Sequence, residues 1–188
     1  MNNLPILNCD FFREAKACYD PATVLGEDWN GTALDILDHP QIPLRDKIWA
    51  VCAKGALPES VQRLMAVAFV RETPLHDGRN VVDLSTDERS LKALEVIELH
   101  ALGRATDGEL DAARGAAKDA AMDAAGDVAA AATATWAAAG AGAGAAAGDA
   151  AWDAAGAATW DAARDAQAEI ARRVILLGHA KRTTLPRK

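Results

Sequence analysis

Apolar residues recur at helical spacing through the first hundred positions. Leu44, Ile48, Val51 and Cys52 follow an i, i+4, i+7, i+8 pattern after Pro43, and Val61, Leu64, Met65 and Ala68 repeat it after Pro58. Both predict amphipathic helices of about a dozen residues with proline in the first turn. Ser85-Thr-Asp-Glu88 reads as a capping box ahead of Leu91, Leu94 and Ile97, where a hydroxyl and a carboxylate three residues apart satisfy each other's backbone N–H groups. Thr106-Asp-Gly-Glu109 reads as a second. Between the second and third of these helices, Thr73–Leu84 carries Pro74, Asp77-Gly78 and Asn80. That spacing predicts a loop, with a short extended piece at Val81-Val82.

Near residue 105 the pattern dissolves into alanine. Asp111–Ala168 contains 31 Ala in 58 residues, with Met122 and Val128 as its larger aliphatic side chains. Alanine has the highest helix propensity, so helix is expected through most of the segment. Four glycines, Gly140, Gly142, Gly144 and Gly148, fall in nine residues, and each costs a helix interior ~1 kcal/mol relative to Ala. A turn is expected there. Asp111–Ala139 and Asp149–Leu177 then pair as two arms of an antiparallel hairpin, each ~43 Å long at 1.5 Å per residue. Alanine buries little area, so the hairpin needs the N-terminal helices, a second copy or a partner to lean on. The expected architecture is all-α: an N-terminal bundle of short amphipathic helices (1–105) packed on the alanine-rich hairpin (106–178) in one domain, followed by a basic tail (179–188).

Length and composition are consistent with that reading. The 188 residues suit one domain, and no apolar run reaches the ~18 residues of a membrane span. The first residues lack a basic n-region and a long apolar core, so a cytoplasmic, soluble protein is expected. Three cysteines, Cys9, Cys18 and Cys52, without a Cys-x-x-Cys pair, disfavour both a disulfide framework and a zinc site. Cys18 and Cys52, among Ala, Val and Trp neighbours, read as buried free thiols.

Charge is segregated. Residues 1–106 carry a net −5 and 107–168 a net −7, whereas 170–188 hold six basic residues and no acid. An acidic body repels a phosphate backbone, which disfavours nucleic acid as a partner. In the alanine-rich segment Asp119, Asp123 and Asp127 are four apart, as are Asp149/Asp153 and Asp161/Asp165. These stripes read either as a solvated face or as an acidic surface for a basic partner. Trp152, Gly156 and Trp160 leave a slot between two rings, and Trp136 lies near the hairpin end. They read as packing anchors, as an interface hot spot, or as a cradle for a planar ligand. Arg172 and Arg173, with Arg114 and Lys118, could meet phosphates in the last case.

Catalytic chemistry finds no support. His39, His76, His100 and His179 lack a Ser, Cys or carboxylate at a catalytic spacing, and no phosphate-binding glycine motif occurs. Glu98-Leu-His100 has the wrong spacing for the Glu-x-x-His motif of di-metal bundles. No cofactor and no metal site is expected.

Two groups of segments carry a resemblance. One comprises Arg13-Glu-Ala-Lys-Ala-Cys18, the Arg45-Asp-Lys-Ile-Trp49-Ala helix, and Asp87-Glu-Arg-Ser90 leading into Gly103-Arg-Ala-Thr-Asp-Gly-Glu-Leu110. The other is the Ala-Ala-Trp-Asp-Ala-Ala array that closes in Gln167-Ala-Glu-Ile-Ala-Arg-Arg-Val-Ile175. Together they resemble a family of alanine-rich bacterial and phage proteins labelled immunity proteins. The array departs from the family pattern at Ala137–Gly148, where Gly takes the Trp, Arg and Asp positions. The resemblance implies an all-helical, non-enzymatic inhibitor, an immunity or anti-defence factor that neutralises a bacterial toxin or defence protein by binding. The alternatives are a protein that sequesters a nucleotide second messenger and a self-assembling module. A homo-oligomer, in the simplest case a dimer, is expected in each case.

Overall fold

A computed structural model describes residues 4–75, 77–123 and 160–183. Among these the chain is mostly helical. The elements run β1 (Leu7–Asn8), α1 (Cys9–Glu14), α2 (Ala22–Leu25), β2 (Asn30–Gly31), α3 (Ala33–Asp38), α4 (Leu44–Cys52), α5 (Glu59–Glu72), a 3-10 turn (Val81–Leu84), α6 (Glu88–Ala101), α7 (Asp107–Asp123) and α8 (Trp160–Thr183). β1 and β2 pair antiparallel, Leu7 opposite Gly31, and this pairing closes the loop that carries α1 and α2. No helix among the described residues is long and apolar enough to cross a membrane.

Helix α5 is the centre. It packs against α6 on one side and α8 on another, and α8 also reaches α4 and α3. The apolar spacing predicts an amphipathic α5, yet Val61 to Val70 are all buried except Leu64. Neighbours on several sides leave it little solvent face. Phe69, Met65 and Val70 are fully enclosed and join Ile36, Val51, Leu94, Ile97 and Ile175 in one core. Gly178 permits the α5–α8 approach, because a Cβ there would lie 3.2 Å from a Val61 methyl. Two ion pairs fix α8 in place, Arg172 to Asp38 of α3 and Arg173 to Glu72 of α5.

The caps follow local chemistry, with two corrections. Thr106 and Glu109 form the expected reciprocal box, with Thr106 N–H donating to Glu109 at 2.7 Å and Glu109 N–H to the Thr106 hydroxyl at 3.2 Å. Helix α6, however, is capped by Asp87 rather than Ser85, since the Asp87 carboxylate accepts from Arg89 N–H at 2.8 Å. Asp is as good an N-cap as Ser, and Arg89 bonds the same carboxylate through its guanidinium. Val81-Val82 is not extended but opens the 3-10 turn. Asn80 N–H donates to Asp83 at 2.7 Å, and that box winds the chain tightly.

The alanine-rich segment is helical where it is described. Helix α7 runs from the predicted start, and α8 continues past Leu177 to Thr183. The expected turn at Gly140–Gly148 and the pairing of the two arms fall largely on 124–159, outside the described residues.

Candidate functional site

One wall of a large cleft is built by α1, the turn after it and α2. A three-way ion cluster holds this flap together: the Arg13 guanidinium meets Asp10 at 2.9 Å, Asp20 at 3.0 Å and Glu27 at 2.8 Å. The carboxylates raise the Arg13 pKa further, and Arg13 in turn holds Glu27 below the usual carboxylate range. The Cys9 thiol donates to the Gly26 carbonyl at 3.2 Å. Helix α1 ends in a Schellman motif, with Lys16 N–H donating to Arg13 and Ala17 N–H to Phe12, each at 3.0 Å. Lys16 occupies the left-handed position of that motif, φ 63°, where glycine is the usual residue.

Helix α4 supplies the opposite wall, α3 and Ile42 one end, and α8 contributes Arg164 and Gln167. The cleft, open on one side, has a volume of about 810 Å³, inside the ~300–1,000 Å³ range of small-ligand sites. Its surface is mainly apolar. Phe11 and Phe12 meet edge-on with centroids 5.1 Å apart, and Phe12 lies 6.4 Å from Trp49. Trp49 is 40% exposed and Tyr19 41%, large exposure for rings beside a core. The Tyr19 hydroxyl donates to Asp46 at 3.0 Å and so links the flap to α4 across the cleft. Partial burial and that carboxylate raise the Tyr19 pKa, keeping the phenol neutral.

Gln62 secures the back of α4. Only 2% exposed, it donates its amide to the Ala53 carbonyl at 2.8 Å and to the Cys52 carbonyl at 3.4 Å. Both carbonyls lie at the helix end, where that of Ala53 also accepts from Ala56 N–H at 3.0 Å. Cys52, behind them, is buried and its thiol is pushed up to about 12 by desolvation, so it stays neutral and unreactive. Cys18 corrects the expectation of burial. It sits on the flap turn, exposed at the cleft, because the chain after the Schellman motif runs along the surface.

A second polar cluster links α5, α6 and the start of α7. Glu59 pairs with the buried Arg63, Arg63 meets His100 Nδ1 at 3.2 Å, and His100 Nε2 meets Asp107 at 2.9 Å. Arginine can only donate, so Nδ1 is the acceptor and Nε2 carries the proton given to Asp107. Both imidazole nitrogens are thus engaged, and the cluster orients three helices. Among the described residues no group of three or more His, Cys, Asp or Glu could hold a metal ion.

The residues singled out from sequence lie elsewhere. Asp119 is exposed on α7, where Arg114 is half-buried and Lys118 exposed. Asp123 ends α7, and Trp160 and Asp161 begin α8. Arg172 and Arg173 have carboxylate partners within the chain. Trp136, Trp152, Gly156, Asp127 and Asp153 lie outside the described residues. The cleft residues Phe11, Phe12, Tyr19 and Trp49 escaped notice as a site. One signal was available: five of the nine aromatic residues fall between positions 11 and 49.

No family model, curated protein or solved structure matches the chain.

Proposed function

We propose that this chain is a non-enzymatic capture protein whose recognition element is the aromatic cleft between the α1–α2 flap and α4. The observation that carries the reading is a volume of about 810 Å³ with partly exposed Trp49 and Tyr19 in its walls. Concave, mainly apolar sites of this size bury most of a small ligand. Its walls are tied by Arg13, Gln62 and the Tyr19–Asp46 bond, so little ordering entropy is lost on binding. An immunity or anti-defence role, in which the chain works by stoichiometric binding, is consistent with this reading and with the resemblance to alanine-rich immunity proteins. The alanine-rich hairpin belongs to the same proposal as a scaffold, with its Asp and Trp faces as a further contact for a toxin or defence protein. The exposed Asp119 favours that second, protein-directed reading.

The test is native mass spectrometry of protein purified gently from its host's lysate, beside an Ala53→Trp variant that fills the cleft. Wild type carrying an adduct that the variant lacks supports the proposal. An adduct retained by the variant, or a bare mass for both, contradicts it.

A further inference from the structure

The cleft's charges are unlike those of the whole chain. Three cations, Arg45, Lys54 and Arg164, line it against two carboxylates, Glu14 and Asp46, while the protein as a whole carries −7. Asp46 is already engaged on both oxygens, accepting from Tyr19 at 3.0 Å and from Arg45 at 3.3 Å. Lys54 lies just past the end of α4, exposed and without an ion pair among the described residues. The rim therefore offers a solvated ammonium beside walls made of Phe, Trp, Ile and Ala side chains.

Resting on the reading of this cleft as the recognition site, the geometry points to its ligand class: a free small amphipathic monoanion, with an apolar body on Phe11, Phe12, Ile48 and Trp49 and one carboxylate-like head at the Lys54 end. A neutral hydrocarbon would leave the ammonium unused. A nucleotide polyphosphate fits poorly, because little of the mainly apolar wall could match its many polar groups. A cationic amphiphile would meet Lys54 head-on.

The experiment is calorimetric titration of the full chain with decanoate, decanol and decyltrimethylammonium at sub-micellar concentration. One charge-assisted hydrogen bond is worth roughly tenfold in affinity. Decanoate should bind about tenfold tighter than decanol, with the cation weakest. Lys54→Glu, an exposed substitution, should remove the advantage of decanoate while leaving decanol unchanged, and Ala53→Trp should abolish binding of all three. Equal affinity for the three probes, each lost in Ala53→Trp, would overturn the anion assignment but leave the cleft as the recognition site. No binding by any probe, or decanoate binding that survives Ala53→Trp, would overturn the assignment of this cleft to a small ligand altogether and leave it to a protein segment.

Discussion

Replacing Gln62 with leucine isolates the contact that fixes the cleft's α4 wall. Leucine keeps nearly the same volume, so little cavity term enters. What is lost is the amide donor to the Ala53 carbonyl at 2.8 Å and, more weakly, to the Cys52 carbonyl at 3.4 Å. A typical internal hydrogen bond contributes about 1 kcal/mol net, and a stranded buried acceptor costs ~1–3 kcal/mol. Gln62 is 2% exposed, but the Ala53 carbonyl keeps a second donor, Ala56 N–H at 3.0 Å, and is not stranded. The balance is a destabilisation of about 1 kcal/mol, or ~2–4 °C in Tm for a chain of this size. Urea unfolding followed by circular dichroism should show a lower midpoint at an unchanged slope. Gln62→Glu should cost more at neutral pH, since a buried carboxylate would face the negative end of α4. Its deficit should narrow as acid protonates the group. Gln62→Leu as stable as wild type, or Gln62→Glu no worse than Gln62→Leu, would refute the capping account.

Lys16→Gly should stabilise the fold by roughly 0.5–1 kcal/mol, because a non-glycine residue at φ 63° costs about 1–2 kcal/mol and the glycine's extra unfolded-state entropy takes back part of that; a lower Tm would contradict the Schellman assignment. Native protein should titrate one fast thiol with a disulfide reagent, that of Cys18, with Cys9 and Cys52 reacting after denaturation; a second fast thiol would mean that α1 or α4 opens. Asp87 is held at about 2 by Arg89, and hydrogen bonds from Thr32 and Thr106 lower Asp35 and Glu109. Folded values below the unfolded ones mean that their stabilisation is complete above about pH 4–5. It is lost as pH falls, for Asp87 through about pH 2. Arg89→Gln should therefore flatten the acid limb of a stability–pH curve, and an unchanged limb would contradict the pairing.

Local chemistry made much of the fold legible in advance. Proline-led apolar periodicity located α4 and α5, and the Thr106–Glu109 box located the start of α7. Where two caps compete, as Ser85 and Asp87 do, spacing alone does not decide, and the Arg89 guanidinium tips the balance to Asp87. The cleft was far less legible. Its walls come from segments about 30 residues apart in the chain, and Arg164 and Gln167 lie more than a hundred residues further on. No periodicity links residues so distant. Arg172 and Arg173 looked like ligands for phosphate because their partners, Asp38 and Glu72, are equally remote in sequence. Phe11, Phe12 and Trp49 carry no motif that sets them apart from core residues, and only the fold brings Trp49, 40% exposed, beside the buried Phe12 at the cleft.

Amide hydrogen exchange with and without bound ligand tests the central claim most directly, with decanoate as the probe. The account predicts protection on binding confined to peptides covering residues 9–25 and 42–54, the two faces of the cleft, with α6 and α7 unchanged. Protection centred on α6 or α7, with the flap and α4 exchanging as in the free protein, would contradict it.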